Sequence, residues 1–398
     1  MIRRLFRTTA VLLASPAILA GCTSGTAGPA QPPAHPVFSM PLDRQPYEAL
    51  NVTRDANVTF RQTLAFGSPQ GSAVLNSTGR LDFETSRASA TRTWTIDKRY
   101  GEEAKLAFLG SQATNGHPSP VRRVAIDPKT IQVRAGSHQY WLRYGHGGVT
   151  QDEGEEVTDL RGASAPYNGT LLETLASTSA VTFRPATGGG RTYSARLPRT
   201  AVQALLPTST HWLLDAVRNP SAEAPVPVPL TVDARGRITR ADADLAALLL
   251  RKGTLAKVTS LRATLVLSGY GTSRPVMPGP AERVLAADDV VRHKEDTAPG
   301  ACVDFDSGLG AGDRLVTVPC GGDHDGRVFA QRALDPQYPG KEEAEAVASR
   351  ECRTAYRAAP FSWREESRKK GHYWLTWPTQ DDWEATSHPK ATCFIDAR

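Results

Sequence analysis

The stretch LRATLVL, residues 261–267, alternates apolar with mainly polar side chains. A period of two residues is typical of a β-strand that has one buried and one solvated face. Four other stretches show the same alternation: NVTFRQTLAF at 57–66, ASATRTWTI at 88–96, TIQVRA at 130–135 and VPVPLTV at 226–232. We therefore expect a large, mostly antiparallel sheet between about residues 47 and 270.

Helical patterns are fewer over the same region. GTLLETLAST at 169–178 places three leucines on one side of a helix. The candidate at 200–217 is interrupted by Pro207, and the one at 244–253 ends in Gly253, which is a typical helix stop. A curved sheet with these helices on its concave side accommodates all of the patterns.

The closing strands of this region resemble those of LolA-like lipoprotein-carrier domains, in particular the actinobacterial LppX/LprG type. The matching features are the turn with Asp233, Gly236 and Arg237, the Tyr270-Gly271 turn, and the Pro-rich exit that follows it. YEALNVTRDANVTF and HQYWLRY lie where that family has its first strands and its tyrosine motif. The resemblance covers about residues 45–280 and implies a half-open β-barrel whose apolar concave face can hold lipid acyl chains.

A curved sheet has more apolar inner face than a few helices can cover, and the remainder forms a groove. The alternation gives the candidates for such a ligand groove: Phe60, Leu64, Phe66, Trp94, Leu230, Leu265 and Leu267. The alternative interpretation is that these side chains fill a closed core.

Four of the five cysteines lie in the last hundred residues: Cys302, Cys320, Cys352 and Cys393. An even set confined to one exported region is typical of two disulfides. Three pairings are open, and 302–320 with 352–393 is favoured because each then closes a local unit. A zinc site is disfavoured, because there is no close cysteine pair and no finger-type Cys/His spacing, so we expect no metal and no cofactor.

The order of residues around these cysteines resembles the septum formation domain of actinobacterial membrane proteins and lipoproteins, over about residues 298–395. The matching residues are Cys302, Pro319, Cys320, His324, Asp325, Val328, Phe329, Ala330, Tyr338, Pro339, Gly340, Cys352, Pro378, Trp383 and Cys393. The resemblance implies a small disulfide-bonded α+β domain that contacts envelope or division proteins.

The remaining cysteine, Cys22, follows three arginines near the N-terminus and a short apolar run. That run is too short for a transmembrane helix and has the proportions of a secretory signal. Leu19, Ala20 and Gly21 precede the cysteine, and the sequence resembles the bacterial lipobox, which implies lipidation of Cys22 with palmitate or a similar acyl chain. Residues 3–6 also resemble a twin-arginine signal, and both the Sec and Tat routes stay open.

A catalytic site is not expected. His324 beside Asp325 has the composition of a general base, but no nucleophile is placed for it, because Cys320 is assigned to a disulfide. We interpret His324 as a structural residue that caps a turn. The signal carries three arginines, so the mature chain has a net charge of only about +3, and no basic run is interleaved with aromatic residues, so we expect no nucleic-acid partner.

These patterns predict an α+β protein in five segments. They are a lipoprotein signal peptide (1–21), a flexible tether (22–44), a LolA-like half-barrel (45–280), a linker (281–299) and a septum-formation-like disulfide domain (300–398). We expect a non-enzymatic lipoprotein, anchored on the extracytoplasmic face of the cell membrane, that binds or carries a lipid or other apolar ligand. The alternative is a structural or scaffolding factor of the cell envelope that binds no ligand.

Overall fold

A twelve-stranded sheet dominates the computed structural model of the chain. The structure describes residues 34–100, 121–136, 138–145, 171–198, 201, 225–246, 249, 258–306, 314–367 and 372–397. The strands are β1 (Val58–Ser68), β2 (Gly71–Asp82), β3 (Arg87–Ile96), β4 (Val121–Ile126), β5 (Thr130–Ala135), β6 (Trp141–Gly145), β7 (Ser179–Pro185), β8 (Arg191–Leu197), β9 (Val226–Val232), β10 (Ile238–Asp244), β11 (Ser260–Ser268) and β12 (Val284–Ala286).

Their order in the sheet is β12-β6-β5-β4-β3-β2-β1-β11-β10-β9-β8-β7. All neighbours are antiparallel except β12 and β6. The structure thus confirms the large, mostly antiparallel sheet that the alternation predicts.

The alternating residues form one buried face, which we call the inner face. On β1, Val58, Phe60, Gln62, Leu64 and Phe66 are buried, whereas the residues between them are at least partly exposed. Across the β1–β11 pair, Phe60 lies opposite Leu267 and Phe66 opposite Leu261. The register therefore brings the apolar positions of neighbouring strands together into one core.

Helices of the described segments add buried side chains to the core on the inner face, and two of them pack on the strands around β1 and β11. The first is α1 (Gln45–Arg54), which buries Ala49, Leu50 and Thr53. Thr53 Oγ1 accepts a hydrogen bond from the Ile238 backbone N–H (2.9 Å), which fixes the helix to β10. The second is the short helix α2 (Leu171–Thr174), in the predicted 169–178 candidate. The candidate at 200–217 lies outside the described residues except for residue 201, and at 244–253 Asp244 belongs to β10.

The turn residues Asp233 and Arg237 contact the Tyr270 turn in space. Asp233 accepts hydrogen bonds from the backbone N–H of Arg237 (2.9 Å) and from its guanidinium (2.7 Å). That guanidinium lies 4.2 Å from the centre of the Tyr270 ring, and the Tyr270 hydroxyl donates to the backbone carbonyl of Ile238. Gly236 has a φ of 76°, which disfavours other residues in this turn. The turn between β9 and β10 is thereby fixed to the end of β11.

Helices and strands lie within the described parts of the segments for which the sequence predicts a tether (22–44) and a linker (281–299). Val37 and Phe38, within 22–44, lie in a short 3₁₀-helix, Pro36–Ser39, and both are buried. Within 281–299, β12 is followed by α3 (Ala287–Val290) and β13 (Val291–His293). Ala287 and Val291 belong to the same core cluster as the inner face, because these apolar side chains gain burial there. The division into domains stays a prediction.

The second sheet has six antiparallel strands. They are β13, β14 (Cys302–Asp304), β15 (Arg314–Val318), β16 (Gly326–Ala333), β17 (Tyr373–Thr376) and β18 (Lys390–Asp396), in the order β13-β15-β14-β16-β18-β17. The described helices of this region are α4 (Lys341–Ala358), α5 (Phe361–Glu366) and α6 (Gln380–Ala385). On α4, Ala344, Ala348 and Cys352 are buried.

Two disulfides join elements of this region. One links Cys302 to Cys320 and the other links Cys352 to Cys393. The second connects α4 to β18, and the structure thus contains the favoured pairing.

The predicted signal peptide and Cys22 lie outside the described residues. Among the residues that the structure does describe, no helix is both long and apolar enough to cross a membrane.

Candidate functional site

The seven groove candidates lie on the inner face of the twelve-stranded sheet. Six of them are at most 3% exposed and belong to one core cluster: Phe60, Leu64, Phe66, Leu230, Leu265 and Leu267. Trp94 is only partly buried and packs against that cluster. Its ring centre lies 6.0 Å from that of Phe66. The structure thus brings all seven side chains together on one face, and of these seven Trp94 is the one that is partly exposed to solvent.

A row of polar side chains crosses the same apolar face. Gln62 on β1 lies opposite Ser77 on β2, Ser77 opposite Arg92 on β3, and Arg92 opposite Arg122 on β4. Gln62 and Ser77 are each 5% exposed and Arg92 is 8% exposed. We call these four residues the polar row.

Gln62, at one end of the polar row, also has a structural role. Its Oε1 accepts a hydrogen bond from the backbone N–H of Leu171 (2.7 Å). The first N–H groups of a helix have no partner within the helix, so Gln62 satisfies one of them at the start of α2. This contact fixes α2 over the inner face.

The other end of the polar row reaches the second sheet. Arg122 forms an ion pair with Asp306 at 3.2 Å, in which the two side chains are only 14% and 8% exposed. Arg92 and Arg122 are direct cross-strand neighbours, an arrangement that is unfavourable for two like charges. Anionic groups stabilise such a guanidinium pair, and planar carboxylates and phosphates suit it best.

The polar row was not predicted from the sequence, although a local signal for it exists. Gln62 has the same strand parity as Phe60 and Leu64, and Arg92 has the parity of Trp94 and Ile96. A polar residue at an inward position of an alternating strand indicates a buried polar site. That the four residues form one row depends on strand register, which only the structure provides.

A cleft of about 330 Å³ lies between β2, β3 and β4 and the segment that precedes β12, with Trp141 and Glu282 at its border. The carboxylate of Glu282 accepts hydrogen bonds from Trp141 Nε1 (3.0 Å) and from the Gly279 backbone N–H (2.8 Å). The hydrogen bond from Trp141, followed by the one from Gly279, holds the pKa of Glu282 below its usual range. These contacts attach the segment before β12 to the sheet.

His324 and Asp325, the pair considered as a general base, have separate surroundings. His324 Nδ1 lies 2.9 Å from the Gly322 carbonyl oxygen and donates to it. Asp325 is buried, and its Oδ2 accepts a hydrogen bond from the Phe305 backbone N–H (3.0 Å). The contact of His324 within its own turn is consistent with a structural role.

A comparison with protein-family models gives no match, and neither does a comparison with curated proteins. Solved structures similar to the chain include a LolA superfamily protein, NE2245, from Nitrosomonas europaea (10% identity, TM-score 0.23, covering 60% of this chain and 96% of that one). A conserved protein from Thermus thermophilus gives 8% identity and a TM-score of 0.28 over 60% of this chain and 97% of its own. The MucA/MucB complex of Pseudomonas aeruginosa gives 12% identity and a TM-score of 0.22 over 88% and 92%.

Proposed function

We propose that the protein is an extracytoplasmic lipoprotein without catalytic activity that binds an anionic amphiphile, such as a phospholipid, on the inner face of its large sheet. The anchor is Cys22, through the lipobox-like sequence that ends at this residue. The two disulfides support an exported location, because disulfides persist in oxidising compartments. Two or more acyl chains at Cys22 would hold the protein firmly on the membrane.

The polar row is the observation that carries this proposal. It places the guanidinium groups of Arg92 and Arg122, beside Gln62 and Ser77, within a face that is otherwise mainly apolar. An amphiphile has the matching arrangement, since its acyl chains favour the apolar part and its anionic headgroup favours arginine. The partly buried Trp94 lies on β3 two residues from Arg92 and marks the side from which an acyl chain would enter.

Lipid that co-purifies with the protein tests the proposal directly. We expect phosphatidylglycerol added as vesicles to be retained by the purified Cys22→Ser chain and detected by mass spectrometry after solvent extraction. In Arg92→Gln we expect at least tenfold less retained lipid, because the headgroup loses a charged partner.

Arg61→Gln is the matched control for this measurement. Arg61 is exposed on the opposite face of β1, so its loss should leave retention unchanged. Extracts of the Cys22→Ser chain without lipid, or equal retention by both variants, would contradict binding at the polar row.

The second candidate is a scaffolding factor of the cell envelope in which the inner face is simply a filled core. The near-complete burial of six of the seven groove candidates favours it. In this case the disulfide-bonded region would contact envelope or division proteins, as its resemblance to septum formation domains implies. Lipid-free extracts together with an unchanged fold would support this alternative.

A further inference from the structure

A second polar cluster lies where the two sheets meet, formed by residues other than those of the polar row. His138 precedes β6, Asp304 ends β14, and Asp325 immediately precedes β16. Their side chains are almost completely buried, with exposed fractions of 2%, 1% and 4%. One ring nitrogen of the histidine and one oxygen of each carboxylate all lie within 4.8 Å of one another.

Hydrogen bonds hold both carboxylates in place. The Tyr140 hydroxyl donates to Asp304 Oδ2 (2.6 Å), and the Asp325 backbone N–H donates to Asp304 Oδ1 (3.0 Å). The Phe305 backbone N–H donates to Asp325 Oδ2 (3.0 Å). Burial, and then the negative charge of Asp304, raise the pKa of Tyr140, so its phenol stays protonated and remains a donor.

The imidazole of His138 is held in place by contacts of its ring and of its backbone. Its ring stacks on that of Tyr140 with centres 4.7 Å apart, and its backbone N–H donates to the Ala135 carbonyl oxygen (3.0 Å). Among the residues that the structure describes, the buried Nε2 has no hydrogen-bond partner, and it lies 3.9 Å from Asp304 Oδ2, which is too long for a hydrogen bond. A buried polar atom without a partner is costly, and it points to a ligand that completes the site.

We propose that His138, Asp304 and Asp325 bind one divalent transition-metal ion of the Zn²⁺ or Mn²⁺ type. An imidazole nitrogen with two carboxylate oxygens is a donor set that these ions accept, whereas Ca²⁺ and Mg²⁺ prefer oxygen ligands alone. Ligands at about 2.0–2.2 Å from one ion lie at most about 4.4 Å apart. Small side-chain rotations therefore suffice to bring the three donor atoms into coordination.

Charge also favours a cation at this position. Two carboxylates that are buried close together repel each other, and taking them out of water is costly unless a cation compensates them. The Tyr140 hydroxyl donates a hydrogen bond to Asp304 and thereby orients its carboxylate, as hydrogen-bonding partners of metal ligands commonly do. His138 precedes β6 of the large sheet, whereas Asp304 ends β14 and Asp325 precedes β16 of the six-stranded sheet. The ion would therefore hold the two sheets together at this point.

Metal titration of the purified Cys22→Ser chain, treated with a chelator beforehand, tests the site. We expect calorimetry to give one Zn²⁺ or Mn²⁺ per chain and a higher midpoint of thermal unfolding with the metal present. Ca²⁺ should give neither effect. In His138→Ala we expect the affinity to fall at least 100-fold, because one of three protein ligands is lost.

His388→Ala is the control variant, because His388 is exposed and lies outside the cluster; it should bind metal like the unchanged chain. The titration of the unchanged chain does not depend on how well any variant folds. Absence of stoichiometric binding by that chain, or equal affinity in His138→Ala, would overturn the proposal. Failure of lipid retention would leave these metal measurements unaffected, so the two proposals are tested separately.

Discussion

Replacing Phe60 by alanine should lower the free energy of unfolding by about 3–5 kcal/mol, the range for truncating a fully buried phenylalanine. The Phe60 side chain is 1% exposed. Its ring lies against Gly79 on β2, where an added Cβ would come within 2.7 Å of the Phe60 ring. Such close packing leaves the surroundings little room to fill the space that the ring vacates. Urea unfolding followed by circular dichroism measures the loss.

Phe183→Ala is the matched control for Phe60→Ala. Phe183 lies on β7 and is 45% exposed, so the same chemical change should cost about 1 kcal/mol or less. If Phe60→Ala lowers the free energy of unfolding no more than Phe183→Ala does, Phe60 lines an open groove. The closed-core interpretation of this position would then be wrong.

Removing the Cys352–Cys393 disulfide by replacing both cysteines with alanine should destabilise the protein by about 4 kcal/mol. The bond joins residues that are 41 positions apart, and both side chains are 0% exposed. A disulfide that closes a longer loop restricts the unfolded chain more. Removing it should therefore lower the free energy of unfolding by more than removing the disulfide that closes the shorter loop. Guanidinium unfolding of the double variant and of the unchanged chain measures the difference.

The Cys302–Cys320 pair provides the comparison. It spans 18 positions, and Cys320 is exposed. The corresponding double alanine variant should lose about 3 kcal/mol. A larger loss from the 302–320 variant than from the 352–393 variant would contradict the loop-length explanation.

Local patterns predicted the elements that depend on neighbouring residues. The alternation in LRATLVL corresponds to β11 (Ser260–Ser268), and the alternation in VPVPLTV corresponds to β9 (Val226–Val232). These predictions succeed because the repeat of apolar residues along a single strand or helix is visible within about ten residues of sequence. The structure around Val37 and Val291 was not predicted, because such short apolar segments show no clear helical or strand period. Their side chains are ordered by packing into the core of the large sheet.

By itself, the sequence determined the strand-rich character of the protein, its inner-face residues and its cysteine content, because side-chain periodicity and composition are local properties. Only the tertiary structure decided which distant residues meet. The polar row requires the register of four strands, and His138 reaches Asp304 and Asp325 only where the two sheets pack. The residues of such a site show no characteristic spacing in the sequence. The fold of the whole segment between them determines whether they come together.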